Sequence, residues 1–128
     1  GFGPEVKRRI ITGNYVLSKD FSGDCYEKSL NVRAKIEKDV NSVLSEYDFI
    51  ICPTNPAPAF KLNEKVNDPM AMYLSDFFTT FVNIARVPSL SVPAGKTKTG
   101  LPIGVQFCGA RFSEERILKL AATWEKRN

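Results

Sequence analysis

The sequence predicts an α/β fold, a mixed β-sheet flanked by helices in the order α-α-β-α-β-β-α. Three observations carry that reading. Asp48-Phe-Ile-Ile-Cys52 is a short continuous apolar run stopped by Pro53, the pattern of a strand buried on both faces. Ser89-Leu-Ser-Val-Pro93 alternates, and Pro102-Ile-Gly-Val-Gln-Phe-Cys-Gly109 supplies a third strand-like run. Around these runs, apolar residues recur at spacings of three and four, the period of helices packed on a sheet.

Taken in order, Pro4 suits a first helical turn and Glu5 complements the positive end of the helix. Val6, Ile10 and Leu17 continue an apolar face to Ser18, weakened by Gly13. Lys19-Asp-Phe-Ser-Gly23 is a turn. Beyond it Tyr26, Leu30, Val32, Ile36, Val40, Val43, Leu44 and Tyr47 mark a long amphipathic helix. After the first strand, Pro53-Thr-Asn-Pro-Ala-Pro-Ala59 is too rich in proline for regular structure. It forms a loop at the strand's carboxyl end, where open α/β sheets place their ligands. A helix then begins near Asp68-Pro69 and crosses to the second strand, which predicts that the first two strands are parallel. Gly95-Lys-Thr-Lys-Thr-Gly100 reads as a hairpin or short connection, with the last two strands antiparallel. Ser113 caps a final helix with Glu114 and Glu115 in its first turn and Ile117, Leu118, Ala121 and Trp124 facing inward.

Apolar residues at 43% and charged residues at 25% exclude disordered and collagen-like classes. The 128 residues are one domain or part of one. A net charge of +4 is spread along the chain except for Lys7-Arg8-Arg9, too diffuse to signal nucleic-acid binding. No apolar run reaches the ~18 residues of a membrane span, and no signal peptide is evident at the front. The expected location is cytoplasmic, or an organellar matrix in a eukaryote. Cys25, Cys52 and Cys108 form no CxxC pair and are read as small buried apolar residues. The chain contains no His, so neither a Ser-His-Asp triad nor a His-ligated metal can be completed within it. It opens on Gly1-Phe-Gly-Pro rather than Met, the start expected of a processed or truncated piece.

Within the crossover helix, Asp76, Thr79, Thr80 and Asn83 form a polar stripe among Phe77, Phe78, Phe81, Val82 and Ile84. In one reading the hydroxyls and amide bond back to helix carbonyls and Asp76 faces water. In the other, favoured by so much apolar surface, the stripe faces a cleft, and Asp76 takes a cation there. Lys7-Arg8-Arg9 lies at the wrong end of its helix for the dipole, which suggests a specific anionic partner for at least one arginine. An Arg forked onto a carboxylate and an Asp on an ammonium would together grip a free amino acid.

These residues, with Phe2-Gly-Pro-Glu-Val-Lys-Arg-Arg-Ile10, Tyr47-Asp-Phe-Ile-Ile-Cys-Pro-Thr54, Asn67-Asp-Pro-Met70, Met72-Tyr-Leu-Ser-Asp76, Val87-Pro-Ser-Leu-Ser-Val-Pro-Ala-Gly95 and Gly100-Leu-Pro-Ile-Gly-Val-Gln106, resemble the C-terminal part of the amidase-signature family. The likeness is nearest to its glutamine-dependent, tRNA-amidating branch, and likeness to the C-terminal part of a larger family domain implies a single partial domain, 1–128. The resemblance implies glutamine hydrolysis, with ammonia passed to partner subunits B and C that amidate Glu-tRNA(Gln). ATP and Mg are then expected on a partner and no cofactor on this chain. It also implies that Arg9, or Arg8 if the register slips by one, holds the glutamine carboxylate and that Asp76 holds the amino group. Family catalysis uses two Ser and a Lys in a Gly/Ser-rich segment that this sequence lacks, so no catalytic residue is expected in this chain and the isolated chain is predicted inactive. Phe81 stands where the family commonly has Pro, and Ala85-Arg86 where it commonly has Ala-Gly. Two alternatives stand beside this reading: a fragment of another amidase-signature amidase, and a non-catalytic α/β interaction module.

Overall fold

The computed structural model describes residues 1–18, 23, 26–62, 64–65 and 68–127. Most of the turn expected at 19–23, with Cys25 and Asn67, lies outside the described residues. The chain divides into two compact units, Gly1–Lys35 and Ile36–Asn128. The first holds α1 (Pro4–Val16), which starts after Gly3 and ends with the Leu17 N–H on the Gly13 carbonyl at 3.1 Å. None of its residues is buried; Val6, Ile10 and Leu17 are all exposed. Helix α2 (Glu27–Glu46) runs from the first unit into the second, where Leu44 is its one buried residue.

The second unit is built on three strands, β1 (Phe49–Pro53), β2 (Ser89–Lys96) and β3 (Pro102–Gly109), in the order β1-β3-β2. Both pairs are antiparallel, with Phe107 opposite Ile51 on one side and Leu90 on the other. The first two strands therefore run the same way, as a crossover demands, but they do not pair. The tight β2–β3 hairpin brings β3 between them, so the described sheet is antiparallel rather than mixed, while the α/β class and the flanking helices stand. In the hairpin, Thr97 N–H donates to the Leu101 carbonyl at 2.8 Å, and Gly95 and Gly100 take positive φ. A register shift between Pro93 and Gly95 places the proline at an irregularity on an edge strand, where its missing donor does no harm.

Alternation along β3 sends Val105 and Phe107 to one face and Gln106 and Cys108 to the other. On the first face, α5 (Glu114–Glu125) buries Ile117 and Ala121 against Val92 and Phe107. Trp124 meets Phe107 edge-on at 5.6 Å and donates from Nε1 to the Pro93 carbonyl at 2.8 Å. Leu118, expected to face inward, is exposed. Positions 117, 121 and 124 define the inward stripe, and residue 118 is turned about 100° from 117. On the opposite face, Cys108 packs with Leu44, Val82, Ala85 and Val87.

The expected single crossover helix is two helices, α3 (Pro69–Ser75) and α4 (Phe77–Ala85), interrupted at Asp76. Arg86 ends α4 in the left-handed conformation, φ 58° and ψ 42°, which favours glycine. Ser113 occupies the N-cap position of α5, but its side chain makes no cap bond and its hydroxyl is buried without a partner. The physical cause is φ −100° and ψ 23°, outside the extended region a capping side chain needs. A Cβ on Gly109 would collide with that hydroxyl and lie 3.1 Å from Ile117 Cδ1.

Two outcomes are expected in denaturant melts of the protein carrying this chain. Gly109→Ala lowers the unfolding free energy by about 1–3 kcal/mol through overpacking. Arg86→Gly raises it by roughly 0.5–1 kcal/mol by relieving the left-handed backbone. Unchanged midpoints would contradict the close approach and the strain respectively.

Candidate functional site

Asp68 starts α3 by accepting the Ala71 N–H on Oδ1 at 3.0 Å. One helix later, Asp76 both ends α3 and begins α4, with φ −94° and ψ 7°. This sparsely populated backbone region keeps its carboxylate from capping α4, and the side chain makes no cap bond. The Asp76 carbonyl carries the local bonding instead. It accepts the N–H groups of Thr79 and Thr80 at 3.1 and 3.0 Å. It also accepts the hydroxyls of the same residues at 3.1 and 2.8 Å. Asn83 Nδ2 donates to the Thr79 carbonyl at 3.1 Å.

The threonine and asparagine parts of the polar stripe thus close back on their own helix, correcting the expectation that the whole stripe faces a cleft. Short polar side chains reach a helix carbonyl three or four residues earlier without help from tertiary structure. The Asp76 carboxylate remains exposed, at the tip of a helix break.

The break is held from several directions. Asn55, in the proline-rich loop, donates from Nδ2 to the Ser75 carbonyl at 3.0 Å, while its Oδ1 accepts the Ala57 N–H at 3.1 Å. Lys65 Nζ donates to the Ser75 hydroxyl at 2.7 Å and sits 4.5 Å from the centre of the Phe60 ring. From the sheet, Gln106 Nε2 donates to the Phe78 carbonyl at 2.6 Å and to Cys52 Sγ at 3.1 Å. The Ser89 hydroxyl donates to Gln106 Oε1 at 3.0 Å, and Cys108 Sγ lies 3.6 Å from that hydroxyl. Burial pushes the Cys108 thiol up, so it is not a thiolate nucleophile at neutral pH. Cys52 and Cys108 therefore serve as more than apolar filler, since both enter the Gln106 and Ser89 contacts.

Ser91 and Thr54 bond each other, Oγ to Oγ1, at 2.8 Å. Ser91 and Thr54 lie on a cleft of about 650 Å³ between the proline-rich loop and the strand ends, with Pro53, Phe60, Pro93 and Ile103 among its walls. The loop does form a cleft at the end of β1, but Asp76 does not line it.

In the first unit, Glu5 on the same helix is an anionic partner of both Arg8 and Arg9. Arg8 forks onto it, Nε to Oε2 at 2.8 Å and Nη2 to Oε1 at 2.7 Å, while Arg9 Nε reaches Oε1 at 3.0 Å. The guanidinium groups, Arg8 first, hold the Glu5 carboxyl at about 2. All three side chains are solvent-exposed, so screening limits what the pairs add to stability. Their effect is to order the arginines. Arg9 lies in the first unit and Asp76 in the second.

Helix α4 runs unbroken through Phe81 and ends at Arg86. Phe81 is half-buried against the cluster around Leu44 and Cys108. The Arg86 side chain is exposed while its neighbour Ala85 is fully buried. No local pattern singles out Asn55 or Lys65 as supports of the break. Gln106 carries a signal, being a polar residue in an otherwise apolar stretch of strand.

The chain matches the Amidase family over residues 1–118 and belongs to that family. Among curated relatives, it is 82% identical over 128 residues to the A subunit of the glutamyl-tRNA(Gln) amidotransferase of Treponema denticola. It is 57% identical over 126 residues to the protein of the same name from Treponema pallidum strain Nichols. All of this chain matches the first and 98% of it the second, and it spans about a quarter of their length, 26% and 25%. Among solved structures, the like-named protein from Thermotoga maritima is 44% identical with a TM-score of 0.72, covering 91% of this chain and 25% of that one. An amidase at 23% identity and a TM-score of 0.81, over 99% of this chain and 29% of its own, shares the fold.

The Glu5 pairing sets a pH window. Because its folded pKa is lowered from 4.5, the ion-pair contribution is complete above 4.5 and is lost as pH falls through about 2. Carboxyl NMR of the protein is expected to show a Glu5 midpoint near 2, moving toward 4.5 in the Arg8→Gln/Arg9→Gln double variant. A midpoint unmoved by both substitutions would remove the arginines as its cause.

Proposed function

We propose that this chain is the amino-acid-clamping part of the A subunit of a glutamyl-tRNA(Gln) amidotransferase. The observation that carries the reading is the 82% identity across all 128 residues to a protein of that name. In this reaction glutamine and water give glutamate and ammonia, and the ammonia then converts Glu-tRNA(Gln) to Gln-tRNA(Gln).

Arg9 takes the glutamine α-carboxylate, with Arg8 the alternative if the register differs by one. Glu5 supports this role by ordering both guanidinium groups from three and four residues away. The exposure of the Asp76 carboxylate, free of any capping bond, suits it to receive the α-ammonium. The Ser-Ser-Lys catalytic set belongs to the rest of the protein, in keeping with relatives about four times this chain's length. Subunits B and C, with ATP and Mg on a partner, complete the tRNA reaction, and the assembly works in the cytoplasm. No helix among the described residues is long and apolar enough to cross a membrane.

A bidentate, charge-assisted contact is worth roughly 1.5–3 kcal/mol, so Arg9→Ala in the full-length protein is expected to raise KM for glutamine about 10- to 100-fold. KM for a simple amide without an α-carboxylate should move less than about twofold, because that substrate never used the contact. Equal losses on both substrates would remove the carboxylate clamp and favour an amidase of simple amides.

A further inference from the structure

Ser75 and Gln106 are the polar residues that are buried as whole residues among the described ones, at 8% and 3% exposure, and both bear on the α3–α4 break. Ser75 precedes Asp76 directly. Gln106 reaches the break from the central strand, bonding a carbonyl two residues beyond Asp76. An apolar residue at 106 would fill the same space without the cost of burying an amide. The polar choice therefore calls for a reason outside packing.

We propose that Gln106 is a positioning residue for the amino-group end of the glutamine site. This rests on the reading of Asp76 as the ammonium receptor. The amide orientation is fixed at both ends, since Oε1 accepts the Ser89 hydroxyl while Nε2 faces the Phe78 carbonyl and Cys52 Sγ. A flipped amide would set oxygen against the Phe78 carbonyl oxygen. Strand β3 is bonded on both edges, so Gln106 ties the first turn of α4 to the most constrained backbone in the unit. That turn in turn holds Asp76, whose carbonyl accepts two N–H groups and two hydroxyls from Thr79 and Thr80. A shift of the turn carries the Asp76 carboxylate with it. Substrate-binding groups tolerate little displacement: about 1 Å can cost up to roughly 100-fold.

The test uses the full-length protein in its assembly, with two substrates: glutamine, and glutaramate, which keeps the carboxylate and amide but has hydrogen in place of the α-amino group. Gln106→Met keeps the length and removes the amide. It is expected to lower kcat/KM for glutamine about tenfold, mainly through KM, and to change glutaramate less than about twofold. In the Gln106→Met/Asp76→Asn double variant the loss should be no greater than in Asp76→Asn alone, since both act on one contact. If Gln106→Met does not fold, Ser89→Ala is read instead. By freeing the orienting end of the amide, it should reduce the preference for glutamine about two- to fivefold. Parallel losses on both substrates, additive losses in the double variant, or an unchanged preference in Ser89→Ala would each overturn the positioning role. An Asp76→Asn variant that keeps the full preference for glutamine would instead overturn the ammonium reading itself, and with it the basis of this proposal.

Discussion

Strand β3 has a bonded neighbour along each edge and a helical layer over each face, and the order of the second unit follows from that position. Every backbone group it buries needs a partner, and the β1 and β2 ladders supply them. Its two faces are chemically different. Phe107 and Val105 meet the apolar face of α5, while Gln106 and Cys108 meet a layer where apolar contacts and a hydrogen-bonded amide share the space. Full burial of Phe107 contributes on the order of 2–3 kcal/mol, enough to fix which way the strand faces. A slip of one residue would exchange the faces, burying Gln106 under α5 without its partners.

The break at Asp76 is consistent with this asymmetry. An unbroken helix would run past the sheet with its polar stripe closed on itself. The Asn55 and Gln106 bonds instead engage carbonyls on either side of residue 76, and the chain turns there with its carboxylate outward. Lys65, bonded to the Ser75 hydroxyl and stacked on Phe60, adds a cation close to the same turn. The basic cluster on α1 is organised differently, by a carboxylate one turn away on the same helix. One unit thus relies on local spacing and the other on tertiary contacts.

Much of the fold is legible in the sequence because its signals are local. The apolar run before Pro53, the Pro102–Gly109 strand and the glycine-flanked hairpin each depend on side-chain alternation or backbone freedom over a few residues, and all three appear as elements, but β1 is an edge of the described sheet with Ile51 exposed rather than a strand buried on both faces. Leu118 and Ser113 depart from expectation because helix phase and cap geometry hinge on a rotation of one residue or on ψ at a single position. Strand pairing departs for another reason: the crossover fixes direction but leaves open which strand sits in the middle.

Composition and periodicity, both properties of neighbouring residues, predicted the α/β class, the ordered motifs carried the resemblance to the family, and the residue types made an Arg and an Asp chemically sensible partners for an amino acid's two charges. Folding in three dimensions added the rest. The crossover breaks at Asp76, Thr79, Thr80 and Asn83 turn back on their own helix, and a glutamine 30 residues along the chain, Gln106, holds the break in place. Hydrogen bonds between distant segments depend on distances no sequence spacing specifies, so the bond from Gln106 to the helix break became visible only once β3 and α4 were brought together.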